Sequence, residues 1–122
     1  MNPPAPEYTI AFTTDAKQDV ASIDASIKKR LKKVLQRKLA VDPSGYGSPL
    51  GGELTGYWKH EFAAHRIIYR LYGDRKLVVV CAVGKRQGKH VSDVYEQLLP
   101  MVKAGRVVEQ VLAILAGLKP KR

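Results

Sequence analysis

One stretch limits the folds open to this chain more than any other: Leu77-Val78-Val79-Val80-Cys81-Ala82-Val83. It is nearly all apolar and rich in β-branched residues, so it reads as a strand buried on both faces. Strand signals also cover Glu53 to Phe62 and Arg66 to Tyr72. Ala63-Ala64 links those two, and Gly73-Asp74 marks the turn before Leu77. Three successive strands with such tight links argue for an antiparallel meander. Tyr8-Thr9-Ile10-Ala11-Phe12 alternates and adds a short strand at the front, with Thr14 and Asp15 as expected N-caps of a following helix.

Between the first strand and the meander the pattern is helical. Ile23, Ile27, Leu31, Val34 and Leu35 form one apolar stripe, and Lys28, Lys29, Arg30, Lys32, Lys33 and Arg37 fall mostly on the remaining arc. A break near Ser22 to Asp24 splits the region into a helical hairpin, and Asp42-Pro43-Ser44-Gly45 ends it. After Gly84 the chain is basic and polar as far as His90. Val91, Val94, Tyr95, Leu98, Leu99 and Val102 then show helical spacing, with Pro100 expected to kink or end that helix. Gly105 permits a break, and Val107, Val108, Val111, Leu112, Leu115 and Leu118 describe a second amphipathic helix. The whole reads as one α+β domain over 1–122. Residues 1–7, with Pro3, Pro4 and Pro6, are a loose tail, and 103–122 form a C-terminal helical extension.

Composition narrows the function classes. The 122 residues hold 21 Lys+Arg against 11 Asp+Glu, a formal net charge of +10. A small domain this basic is expected to meet a polyanion, nucleic acid first. The blander explanations are solubility or an acidic protein partner. The 45% hydrophobic content argues against a disordered chain. No apolar run approaches the roughly 20 residues that span a bilayer, and residues 1–6 lack the features of a secretory signal, so a cytoplasmic protein without membrane contact is expected. The lone Cys81 excludes an internal disulfide and a cysteine-based zinc cluster, and the histidines have no convincing ligand spacing with carboxylates. Neither a metal nor a cofactor is expected.

The hairpin supplies the sharpest geometry. If Ala63 and Ala64 form a two-residue turn, Phe62 faces His65, Glu61 faces Arg66 and Lys59 faces Ile68. Trp58, His60, Phe62, Ile67, Tyr69 and Leu71 then share one side, which looks like core. Tyr57, Lys59, Glu61, Arg66, Ile68 and Arg70 share the other. That side reads as a concave surface on which cations neutralise phosphate and an aromatic stacks on a base. The competing reading is a solvated face with a cross-strand Glu61–Arg66 pair, worth about 0.2–1 kcal/mol.

Several short motifs resemble the RelE/ParE toxin superfamily of bacterial toxin–antitoxin modules. They are Pro49-Leu50-Gly51-Gly52-Glu53-Leu54-Thr55-Gly56-Tyr57-Trp58-Lys59, His65-Arg66-Ile67-Ile68-Tyr69, Val83-Gly84-Lys85-Arg86 and Val94-Tyr95. The resemblance covers roughly residues 7–100 and is closest to RelE-like mRNA interferases. It implies an antiparallel four-stranded sheet packed against an N-terminal helical hairpin, with the first strand beside the last. It also implies a cognate antitoxin, action on ribosome-bound mRNA in the bacterial cytoplasm, and operator DNA only through the antitoxin complex.

By resemblance, Lys59, Arg66, Arg86 and Tyr95 match the catalytic positions of RelE-like enzymes, which cut mRNA in the ribosomal A site. RelE has a further lysine where this chain has Tyr57. The stretch between Arg86 and Tyr95 looks longer than in RelE, which leaves His90 as an alternative to Tyr95. Tyr57, Lys85, Lys89 and His90 are taken as substrate-binding residues. The glutamate that YoeB-like relatives use is Ser48 here, so their acid/base scheme does not transfer. The implied reaction is attack of a 2′-hydroxyl on the scissile phosphate. Arg66 and Lys59 would hold the phosphate and oppose developing charge, Arg86 would stabilise the leaving oxygen, and Tyr95 or Lys59 would assist removal of the 2′-proton. Two alternatives remain: a ParE-like inhibitor of DNA gyrase, without the cutting residues, and an inactive homologue that only binds antitoxin.

Overall fold

The computed structural model describes residues 6–85 and 94–117. Residues 1–5 of the expected 1–7 tail, the basic segment 86–93 with Arg86, Lys89 and His90, and the end at 118–122 lie outside the described residues. The chain runs through β1 (Thr9–Phe12), α1 (Thr14–Ala21) and α2 (Ala25–Val34), and α2 continues into a wide π-helical turn, Leu35–Leu39. A short α3 (Pro43–Tyr46), β2 (Ser48–Pro49) and a 3-10 turn (Gly52–Leu54) lead into β3 (Trp58–Phe62). Then come β4 (His65–Tyr72), β5 (Leu77–Lys85), α4 (Val94–Lys103) and α5 (Arg106–Gly117).

The strands form one sheet in the order β1-β5-β4-β3-β2. The α+β class stands, but the expected antiparallel four-stranded sheet is corrected to a mixed sheet of five. β1 runs parallel to β5, from Thr9 opposite Leu77 to Phe12 opposite Val80. The other pairings are antiparallel. β2 has only two residues, one of them a proline with no N–H to donate, so no alternation announces it. The strand expected from Glu53 begins only at Trp58, because Gly56 sits at φ +95° and breaks the extended backbone.

Every residue from Leu77 to Val83 is buried. Strand pairing explains how one strand serves two layers. Ile68 lies opposite Ala82 and Tyr69 opposite Val80, so Cys81 is the extra residue of a β-bulge. Val78, Val80 and Val83 join Ala16, Leu31, Leu35, Leu39, Ile67 and Tyr69 under the N-terminal helices. Leu77, Val79, Cys81 and Ala82 join Tyr57, Ile68, Val94, Leu98, Val107 and Val111 under α4 and α5. Each buried aliphatic side chain contributes about 1.5–3 kcal/mol.

Local chemistry seats the elements. Thr13, not Thr14 or Asp15, caps α1: its Oγ1 accepts from Ala16 N–H at 3.1 Å and donates to the Cys81 carbonyl at 3.4 Å. Thr13 is the better cap because it is buried against β5, whereas the two residues after it are already helical. The Tyr69 hydroxyl donates to the Pro43 carbonyl at 2.6 Å. A Cβ at Gly47 would lie 1.8 Å from that hydroxyl oxygen, so only glycine fits. Pro100 lies inside α4 without ending it. The packing of Leu98, Met101 and Val102 on the second core layer holds the helix through the lost N–H, and Gly105 at φ +77° makes the turn into α5.

A polar clasp fastens α5 to α1. Arg106 donates from Nε and Nη2 to both Asp15 oxygens at 2.8 Å, and Gln110 Nε2 donates to Asp15 Oδ2 at 2.6 Å. Gln110 Oε1 also accepts from the Asp15 N–H at 3.1 Å. The Arg106 hydrogen bonds, aided by Gln110 and opposed by partial burial, hold the Asp15 carboxyl at about 2, below its ordinary 3.8. A lowered folded-state pKa stabilises the fold above pH 3.8, and the contribution is lost as pH falls towards 2. Asp15→Asn is therefore expected to cost about 1–2 kcal/mol at pH 7. In urea titrations its deficit against wild type should shrink steadily as pH falls below 3.8 and through 2; a constant deficit would count against the clasp.

Candidate functional site

The β3–β4 hairpin has the register expected from its two-residue link. Phe62 pairs with His65, Glu61 with Arg66 and Lys59 with Ile68. Ala63 and Ala64 both take positive φ, 44° and 61°, the backbone of a tight primed turn. The turn brings three charged side chains together on the sheet face toward α4. Glu61 accepts from Arg66 Nε at 3.4 Å and from Lys59 Nζ at 3.5 Å, so one carboxylate bridges both cations. The Arg66 side chain is 15% exposed and that of Lys59 30% exposed, so the cluster faces solvent at its rim. The Arg66 guanidinium lies over the Tyr95 ring, 4.3 Å from its centroid. Lys59, Arg66 and Tyr95 therefore belong to one cluster, joined by Glu61.

α4 makes the far wall. Gly84 lies opposite Arg66, and a Cβ on it would sit 3.0 Å from Val94 Cβ, so glycine lets the start of α4 close on β5. Tyr95 also lines a cleft of about 290 Å³ with Gly51, Glu53, Leu54, Glu96 and Leu99. Lys85 is exposed at the end of β5, opposite His65. Arg86, Lys89 and His90 follow it outside the described residues, so their positions relative to this cluster are not part of the geometry.

The face beyond the cluster differs from the expected open, concave surface. The C-terminal helices cover it. Ile68 is fully buried and Tyr57 is 2% exposed. Tyr57 is thus corrected as a platform for a base: its ring packs into the core and carries the Arg70 guanidinium, 4.9 Å from the centroid. Burial raises the pKa of the Tyr57 hydroxyl, and Arg70 beside it opposes the shift. Burial likewise pushes the Cys81 thiol up to about 12, so Cys81 is a core residue with no nucleophilic character. His65 is buried, with Nδ1 3.0 Å from the Ala63 carbonyl, and His60 Nδ1 lies 2.7 Å from the Tyr46 carbonyl.

Sequence reasoning treated Glu61 only as an ion-pair partner of Arg66. Its contact with Lys59 two residues away was readable from strand alternation, since both point to the same side. Among the described residues, no group of three or more His, Cys, Asp or Glu could hold a metal ion. No helix among them is long and apolar enough to cross a membrane.

Residues 10–90 match the model of the ParE toxin of type II toxin–antitoxin systems. The chain belongs to the RelE/ParE toxin superfamily. It is 28% identical over 90 residues to Toxin RelG of Mycobacterium tuberculosis, covering 74% of this chain and 98% of that one. Among solved structures, the RelBE2 toxin–antitoxin complex of the same organism superposes with a TM-score of 0.63 at 29% identity, over 67% of this chain and 93% of that chain. The intact E. coli RelBE complex superposes with a TM-score of 0.56 at 21% identity, over 66% of this chain and 99% of that one, a likeness of fold. The protein is thus a toxin of a type II toxin–antitoxin system.

The toxin's hairpin turn places alanine at two left-handed positions, each costing about 1–2 kcal/mol for a residue with a Cβ. Replacing them by Asn and Gly, Ala63→Asn with Ala64→Gly, is expected to raise unfolding free energy by about 1–2 kcal/mol at unchanged denaturant slope. Urea titration measures it; no gain would mean the turn is not of this type.

Proposed function

We propose that this toxin is a ribosome-dependent mRNA endoribonuclease. The observation that carries the reading is the meeting of Lys59 and Arg66 on one carboxylate, with Tyr95 stacked on Arg66. Two cations already oriented around an anion suit a scissile phosphate, which would take the place Glu61 now fills. The 2′-oxygen of the RNA attacks phosphorus, the bond to the 5′-oxygen breaks, and a 2′,3′-cyclic phosphate forms. The 2′-proton passes to Tyr95 as a phenolate or to Lys59 as a neutral amine, and the departing 5′-oxygen takes up a proton from water. Arg66 and Lys59 oppose the charge that grows on the phosphorane oxygens. Arg86 serves at the leaving oxygen, as stabiliser rather than acid, because arginine holds its proton at neutral pH. Lys85, Lys89 and His90 are assigned to binding the RNA.

The ribosome supplies the orientation that weak proton-transfer groups need. A cognate antitoxin restrains the toxin in the bacterial cytoplasm, as complexes of related toxins with their antitoxins suggest, and operator DNA is met only through that complex. A second reading has one observation in its favour: the matching family model describes a ParE toxin, so gyrase inhibition is the competing activity.

Primer extension on a defined mRNA in a translation extract tests the first reading. Wild type is expected to cut between codon bases in the A site. Arg66→Ala is expected to slow cutting at least about a hundredfold, as loss of a transition-state charge partner does, while Glu61→Gln retains it. Absence of cuts, together with inhibited supercoiling by purified gyrase, would move the assignment to the second reading.

A further inference from the structure

Residues 25–41 carry Lys28, Lys29, Arg30, Lys32, Lys33, Arg37 and Lys38 and not one Asp or Glu. All seven cations are exposed, on α2 and the π-helical turn that continues it. A helix left to its own preferences avoids this arrangement. Lys28 and Lys32, Lys29 and Lys33, and Arg30 and Lys33 stand one turn apart and repel. The first turn of α2 holds no acidic residue to complement its dipole. Only the apolar stripe through Leu31, Leu35 and Leu39 keeps the segment on the sheet.

The π-helical turn is a second, independent departure. Such turns are rare and recur at functional positions. Here it carries Arg37 and Lys38 and sets Lys38 over the Tyr46 ring, 5.8 Å from the centroid. Lys38 then joins Arg30, Lys33, Val34 and Phe62 around an open groove of about 310 Å³. This groove lies on the layer under the N-terminal helices, with the sheet between it and the core cluster that takes in Tyr95.

We propose that the α2 face and this groove form a second nucleic-acid site that grips the phosphate backbone of duplex RNA. The proposal rests on the reading of the toxin as acting on RNA, and extends it to a partner surface away from the sheet cluster. The cations from Lys28 to Lys38 lie along roughly 15 Å of helix, enough to reach phosphates on both sides of an A-form groove. Bases find no platform here: Tyr46 already has Lys38 over its ring, and Phe62 packs against the core. Contacts are therefore to the backbone, without sequence choice. A bilayer is disfavoured because the apolar residues of α2 point into the core, leaving nothing to insert. A protein partner is disfavoured because seven exposed cations surround the small apolar lining of Val34 and Phe62, and interface cores are depleted of charge.

Fluorescence anisotropy with a labelled RNA duplex of about 16 base pairs and the full chain tests this directly. Lys29→Gln, Lys33→Gln and Lys38→Gln together are expected to weaken binding about thirtyfold at 0.1 M salt and to lower the slope of log affinity against log salt by about three. Lys17→Gln, Arg75→Gln and Lys103→Gln remove the same charge elsewhere and are expected to leave binding within about twofold. The patch variant should also melt close to wild type, since relief of repulsion offsets the lost contact of Lys38 with the Tyr46 ring. Should it fail to fold, Lys29→Gln with Lys33→Gln and Lys38→Gln alone are each expected to lower the slope in proportion. Equal losses in both triple variants, unchanged binding in the patch variant, or wild-type preference for vesicles of 30% anionic lipid over the duplex would overturn the proposal. The assay contains no ribosome and scores no cleavage. A toxin that fails to cut mRNA while binding duplex as described would sink the endoribonuclease reading alone.

Discussion

A strand that is apolar on both faces must find two layers, and the architecture of this toxin follows from that demand. β5 meets it by taking partners on both edges and a helical layer on each side. The bulge at Cys81 reconciles the two halves of the strand, since it shifts the alternation by one residue and lets Cys81 and Ala82 face the same layer. Everything functional hangs from the neighbours of β5. β4 carries Arg66, the hairpin brings Lys59 and Glu61 beside it, and the cover of α4 and α5 on the second face delivers Tyr95.

Much of this was legible in the sequence where one period dominates. The β3–β4 register followed from a two-residue link and strict alternation, so the meeting of Glu61 with Arg66 could be read before any coordinates. The helical hairpin and its break near Ser22 were legible for the same reason, a clean apolar stripe. What escaped depended on tertiary choices. The cap at Thr13 is decided by burial against β5, which no local pattern encodes. β2 is too short to have a period. The cover on the Tyr57 face was not legible, because an amphipathic helix fits a sheet, a second copy or a partner equally well. It is fixed by Arg106 and Gln110 finding Asp15, more than ninety residues away in the chain.

Among the described residues, two groups of cations differ in character. On the sheet, cations are few, partly buried and held by a carboxylate and a ring, so their geometry is fixed before any substrate arrives. On α2 they are many, exposed and unopposed by any acid in the same segment, so their effect is long-ranged and screened by salt. Glu61 holds both cations of the first group, so any anion that binds there competes with a carboxylate already in place.

The bond from Thr13 to the Cys81 carbonyl spans 68 positions in the chain, and the same hydroxyl starts α1. Helix initiation at the front of the molecule is therefore tied to a strand made near the back. β1 can be held only once β5 exists, after closure of a long loop whose entropy must be met before the contact rewards it. A ribosome synthesising this chain releases β1, α1 and α2 well before their anchor emerges. The N-terminal layer consequently acquires its final seat only after β5 has been made, and α5, which grips Asp15, follows later still.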